Sequence, residues 1–138
     1  MLAIARSRMP LARLALYDLN EGIPDEFLKS KFDCIISSYA LHHIDNPAKV
    51  KLLRSCLSLL NPGGTVIIGD IMFENDQDLS ECNDEFDEWF DEDEYYLVAE
   101  EILPDLAQEW DVHFRKISYC AGILELRMKP EEAGKISD

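Results

Sequence analysis

Apolar residues in this chain recur with two different periods, and the alternation between them divides it into strands and helices. Residues 32–37, Phe-Asp-Cys-Ile-Ile-Ser, and residues 65–70 are nearly continuous apolar stretches of strand length. Such runs are expected of strands buried on both faces of a parallel sheet. Between them, Val50, Leu53, Leu57 and Leu60 recur at spacings of three and four, which predicts a helix to about Leu60 with Lys49, Lys51 and Arg54 turned outward. Asp45-Asn46-Pro47 supplies its cap and first-turn proline, and Asn61-Pro62-Gly63-Gly64 stops it. Strand, helix and strand in that order form a βαβ unit.

Upstream, residues 1–9 read as a helix with Leu2, Ala5 and Met9 on one face, stopped by Pro10, and residues 14–17 as a short strand ending at Asp18. The first helix has no start signal, because Met1 already lies inside the apolar pattern, so the natural element is expected to begin further upstream. Downstream, Leu79, Cys82, Phe86, Trp89 and Phe90 form one apolar face of an acidic helix over residues 77–91. Directly following a strand, this helix is expected to cover the carboxyl rim of the sheet as a mobile lid. A further helix over residues 96–110 carries Val98, Ile102, Leu106 and Trp110 on one side, with a break or kink at Pro104. Residues 112–119 and 123–128 flank Cys120-Ala121-Gly122 as an antiparallel hairpin, and residues 129–138 read as a flexible tail.

Composition narrows the functional classes. At 138 residues and 47% apolar content the chain is expected to form one domain with a real core. No apolar run approaches the ~18 residues that span a bilayer, and no signal peptide is evident, so the cytoplasm is the expected location and no membrane partner is expected. The net charge of −15 argues against nucleic acid as a non-specific partner. Twelve acids and no Lys or Arg fall between Glu74 and Glu94, while acids and bases nearly balance elsewhere. The four cysteines, Cys34, Cys56, Cys82 and Cys120, lack the spacing of a zinc knuckle or paired redox motif and read mainly as small hydrophobes. No metal site is expected: His42 and His43 are adjacent, so in a strand or a helix their rings diverge, and His113 lies far along the chain.

Ligands of open α/β sheets bind outside the carboxyl ends of the strands. Three such ends carry polar residues: Asp18; Ser37-Ser38-Tyr39 with His42-His43; and Asp70. Ordinary turn chemistry competes for the two aspartates, and helix-edge packing or exposure for the histidines. Residues 32–44, Phe-Asp-Cys-Ile-Ile-Ser-Ser-Tyr-Ala-Leu-His-His-Ile, followed by Leu-Leu-Asn-Pro-Gly-Gly-Thr-Val-Ile-Ile-Gly-Asp at 59–70, closely resemble the fourth and fifth strand regions of class I S-adenosylmethionine-dependent methyltransferases, in their small-molecule branch.

The resemblance implies an α/β, Rossmann-like methyltransferase sheet, N-terminally truncated and closed by a C-terminal antiparallel hairpin, with residues 1–128 as a partial methyltransferase domain. It implies S-adenosylmethionine as cofactor and a small-molecule methyl acceptor as partner. Asp18 matches the acidic position facing the adenine amino group, with the Leu19 backbone N–H beside it. Ser37, Ser38 and Tyr39 match the loop at the methyl-donor end, and either His42 or His43 could act as a base. The family's glycine-rich loop, and the acid that holds the ribose hydroxyls, find no match. This chain alone is therefore expected to bind the cofactor weakly and transfer little. The strand at residues 14–17 is expected to pair beside residues 32–37 or with a second copy, giving a homodimer through the N-terminal sheet edge. The alternative function is a non-catalytic remnant that binds or oligomerises through its acidic helix. A nicotinamide-dependent oxidoreductase fits less well, since its diagnostic loop is also missing.

Overall fold

The computed structural model describes residues 1–130; most of the expected tail lies outside the described residues. The elements are α1 (Leu2–Arg8), β1 (Phe32–Ser38), α2 (Asn46–Cys56), β2 (Leu60–Phe73), α3 (Asp76–Glu85), β3 (Leu97–Val98), α4 (Ala99–Leu106), β4 (Trp110–Ser118) and β5 (Ala121–Met128), with short 3-10 turns between several of them. The sheet runs β1-β2-β5-β4, with β3 beside the end of β2. β1 and β3 are parallel to β2, whereas β5 is antiparallel to both β2 and β4.

The βαβ unit and the hairpin form as expected. Asp45 caps α2 through Oδ1, which accepts from the Ala48 N–H at 2.8 Å. α2 ends at Cys56, and a 3-10 turn (Leu57–Leu59) carries the chain into β2. β2 starts earlier than its apolar run: Phe32 pairs with Leu60 and Cys34 with Thr65, so Asn61-Pro62-Gly63-Gly64 is absorbed as an irregularity within the strand. Gly63 there has φ +80°, and a Cβ on Gly64 would come within 2.9 Å of the Asn61 carbonyl oxygen. Glycine is the residue that meets both demands.

The core lies on one face of the sheet. Leu52, Leu53 and Cys56 of α2 and Ile102 and Leu106 of α4 pack against Val66, Ile68 and Met72 of β2 and Leu124 and Leu126 of β5. On the opposite face Thr65, Ile67, Gly69 and Ile71 are only half-buried. β1 is thus not buried on both faces, and its Ile36 is 70% exposed.

Several other expectations are corrected. Residues 14–17 form no strand, and among the described residues β1 pairs only with β2. An extended segment this short is not stable without a ladder partner, and Leu16 remains exposed. The buried stripe of α2 is rotated relative to the expected one: it comprises Lys49, Leu52, Leu53 and Cys56, so Lys49 points inward and is fully buried. The acidic helix stops at Glu85 and continues as a 3-10 turn (Asp87–Trp89), and the expected helix over residues 96–110 resolves into β3, α4 and the start of β4. Pro104 sits inside α4, which ends two residues later at Leu106. Cys82 and Cys120 form a disulfide that ties α3 to the β4–β5 turn, where the sequence suggested unpaired thiols. Cys34 and Cys56 are free.

Candidate functional site

Because β1 and β2 are parallel, their carboxyl ends form one rim. Tyr39 follows β1 with φ +50°, a left-handed conformation uncommon for a residue with a side chain, and its N–H donates to the Gly69 carbonyl at 2.9 Å. That turn directs residues 41–43 back over the end of β2. Asp70, 2% exposed, meets them there. Its Oδ2 accepts from the Leu41 N–H at 2.9 Å, and its Oδ1 accepts from the Ile71 N–H at 2.8 Å and lies 2.7 Å from His42 Nδ1. A carboxyl group this deep needs such a set of partners to replace the water it has lost.

His42 is thereby oriented from one side. With Nδ1 carrying the proton toward Asp70, Nε2 is the free nitrogen, and it lies 3.7 Å from Oε1 of Glu94. The His43 ring sits 4.0 Å from the His42 ring, centroid to centroid, and Tyr96 lies beyond at 6.5 Å. The expected divergence of the two imidazoles does not occur, because they sit in a 3-10 turn (Leu41–His43) rather than in a strand or long helix. Donor atoms of His42, His43 and Glu94 all fall within 4.8 Å of one another.

The segment bearing Glu94 is pinned to this turn. The Tyr95 N–H donates to the His42 carbonyl at 2.7 Å, and the Tyr95 carbonyl accepts from Lys49 Nζ, which also donates to Asn46 Oδ1 at 3.2 Å. Burial pushes the Lys49 ammonium down to about 8, an effect only partly opposed by the negative charges of Asp70, Asp45 and Glu101. Burial likewise raises the Tyr96 hydroxyl above its ordinary value.

Two cavities flank the rim. One of about 340 Å³ is lined by Ile71, Phe86, Trp89, Phe90, Tyr96 and Cys120, so the segment after β2 does roof the end of that strand. The disulfide at Cys120 fastens the roof at one point. The other, about 260 Å³, is lined by Leu19, Ser37 and Ser38 together with Ile23, Ile35, Leu41 and Leu52.

The structure therefore brings Leu19, Ser37 and Ser38 together around one cavity and His42 and His43 together ring against ring, with Tyr96, which lines the other cavity, 6.5 Å from His42. Tyr39 stands on the rim, exposed. Asp18 is engaged locally: its Oδ1 accepts from the backbone N–H and the side-chain amide of Asn20, both at 2.9 Å, which is turn chemistry. Sequence reasoning missed Glu94, Tyr96 and Lys49. The only sequence signals for them were a carboxylate next to two tyrosines and a lysine in phase with the apolar stripe.

Comparison with known proteins places this geometry in a family. Residues 5–120 match the family model described as a methyltransferase domain, and the chain belongs to that family. It is 28% identical over 103 residues to phosphoethanolamine N-methyltransferase of Plasmodium falciparum, covering 75% of this chain and 38% of that protein. It is 33% identical over 67 residues to an uncharacterized methyltransferase of Bacillus pumilus, covering 41% of this chain and 32% of that one. Among solved structures, the pyocyanin biosynthetic protein PhzM superposes with a TM-score of 0.68 at 14% identity, covering 93% of this chain and 40% of its own. The complex of DhpI with SAH superposes at 0.65 and 19% identity, covering 94% of this chain and 62% of its own. The fold is that of the Rossmann-like methyltransferases, as the motif at residues 32–44 implied. The chain spans only about a third of the length of these curated relatives.

Proposed function

We propose that the chain contributes to methyl transfer from S-adenosylmethionine to a small-molecule acceptor, with His42 as the group that takes the acceptor's proton. The observation that carries this reading is the buried Asp70, which holds the His42 ring by Nδ1 at the carboxyl rim of the parallel strands. A base must present a free lone pair in a fixed direction, and a carboxylate behind the far nitrogen provides that. Tyr39 and His43 border the acceptor side. When bound, the cofactor supplies an electrophilic methyl on a sulfonium.

The residues present fit part of that cofactor. Leu19, Ser37 and Ser38 line an apolar cavity of about 260 Å³ suited to one flat portion of it. Binding by this chain alone is expected to be millimolar or weaker, because only one side of the ligand is held. The acceptor is a small molecule, and the setting is the cytoplasm. There, reducing conditions would keep the Cys82–Cys120 bond open for much of the time. The edge of β1 that pairs with no strand among the described residues is the surface through which two copies would associate.

A second reading, binding without catalysis through the acidic segment, is favoured by Trp89, which is 80% exposed among carboxylates. Labelled S-adenosylmethionine offered with a panel of small amines, phenols and thiols separates the two. Transfer that falls about 100-fold or more in His42→Asn supports the first reading. No transfer by either protein, together with capture of a basic partner, supports the second.

A further inference from the structure

The geometry points to a binding site for one divalent cation of the zinc class, formed by His42, His43 and Glu94. Two imidazoles and one carboxylate make an N2O donor set, which suits Zn2+ and neighbouring transition metals rather than Mg2+ or Ca2+, whose ligands are oxygens. Zinc with bonds of 2.0–2.2 Å places tetrahedral ligands about 3.4 Å apart. His42 Nε2 and Glu94 Oε1 already lie 3.7 Å apart. All three donors lie within 4.8 Å of one another, and the outermost residue, His43, is exposed.

Three features distinguish this cluster from a chance meeting of polar side chains. First, the other ring nitrogen of His42, Nδ1, lies 2.7 Å from Asp70 Oδ1, and a carboxylate behind a ligating imidazole is the usual outer support of a zinc histidine. Second, that carboxylate is itself fixed by the Leu41 and Ile71 N–H groups, so the ligand cannot easily turn away. Third, the Tyr95 N–H bond to the His42 carbonyl, with Lys49 on the Tyr95 carbonyl, holds Glu94 against the histidine turn although the two segments are distant in sequence. Three protein ligands leave a fourth position for water or an acceptor atom, the open arrangement of zinc sites that do chemistry. A cation here would occupy the lone pair that His42 needs as a base, so the two roles exclude each other at any instant.

The test is a calorimetric titration of the tag-free, chelator-treated full chain with Zn2+, without cofactor or acceptor, so that its outcome does not depend on methyl transfer. It is best done in a Cys34→Ser background, which removes the exposed thiol as a competing ligand. The expected result is one ion per chain at micromolar or tighter affinity, with tetrahedral d–d bands when Co2+ replaces Zn2+. His43→Ala and Glu94→Gln should each weaken binding about tenfold or more while circular dichroism stays unchanged. Binding only at millimolar concentration, or affinity that neither variant alters, would overturn the proposal.

Discussion

The N-terminal third of the chain and the rim around Asp70 are held by different kinds of contact. No residue before Leu41 is buried, whereas Leu41, His42, Ile44 and Lys49 follow in quick succession. In the first region Asp18 bonds locally, to Asn20, and the side chains that reach further, Lys31 to the Ser58 carbonyl and Asp33 to Asn61, do so from exposed positions. At the rim the bonds cross 28 and 29 residues of chain, from Asp70 to His42 and to Leu41. A side chain tied at long range keeps its orientation only while the fold exists. One tied locally keeps its orientation with or without the fold, and so tells little about function.

Substitution should expose that contrast most sharply at the two aspartates. Asp70→Ala leaves the Leu41 and Ile71 N–H groups and His42 Nδ1 without their acceptor in a buried place, at a cost of about 3–5 kcal/mol. Asp18→Ala removes a cap on an exposed turn, at a cost of about 0.5–1 kcal/mol. Urea unfolding of both variants measures the gap, and equal losses would remove the distinction between the regions.

The next effect in size concerns α3. The Cys82–Cys120 link closes a segment of 38 residues. Cys82→Ser should therefore cost roughly 2–4 kcal/mol in oxidising buffer and much less once the wild type is also reduced. Amide exchange of α3 should quicken on reduction, while α2 stays slow. Exchange in α3 as slow as in α2 under both conditions would rule out a mobile cover.

Lys49 gives a pH signature. Its folded value of about 8 lies below the ordinary 10.5, so between those limits the unfolded chain binds more protons and stability rises with pH. The wild type should gain on Lys49→Met across that window, and a constant difference between them would contradict burial of the ammonium. The smallest test is chemical. Burial raises the Cys56 thiol to about 11, so iodoacetamide at neutral pH should label exposed Cys34 and spare Cys56 in the native chain.

Legibility in the sequence follows the same division. The βαβ unit and the hairpin were readable because local periodicity and punctuation determine them: the Asp45 cap, Asn61-Pro62-Gly63-Gly64 and Cys120-Ala121-Gly122 all act over a few residues. His42 and His43 were readable as candidates through their motif. Their meeting with Glu94 was not, since a 3-10 turn and a distant segment bring the three together. Lys49 misled because a stripe with the same period can be rotated by one residue without changing the pattern. The residue 14–17 run misled because an apolar pattern predicts a strand but cannot supply the neighbour it needs.

The proposed reading puts the cofactor where Leu19, Ser37 and Ser38 meet. The direct measurement is a two-dimensional amide NMR titration of the chain with S-adenosylhomocysteine, which resolves even weak binding residue by residue. Saturable shifts confined to Leu19, Ser37, Ser38, Tyr39 and their neighbours, with a midpoint in the millimolar range, are the predicted result. Shifts centred elsewhere on the sheet, or none up to the solubility of the ligand, would contradict it.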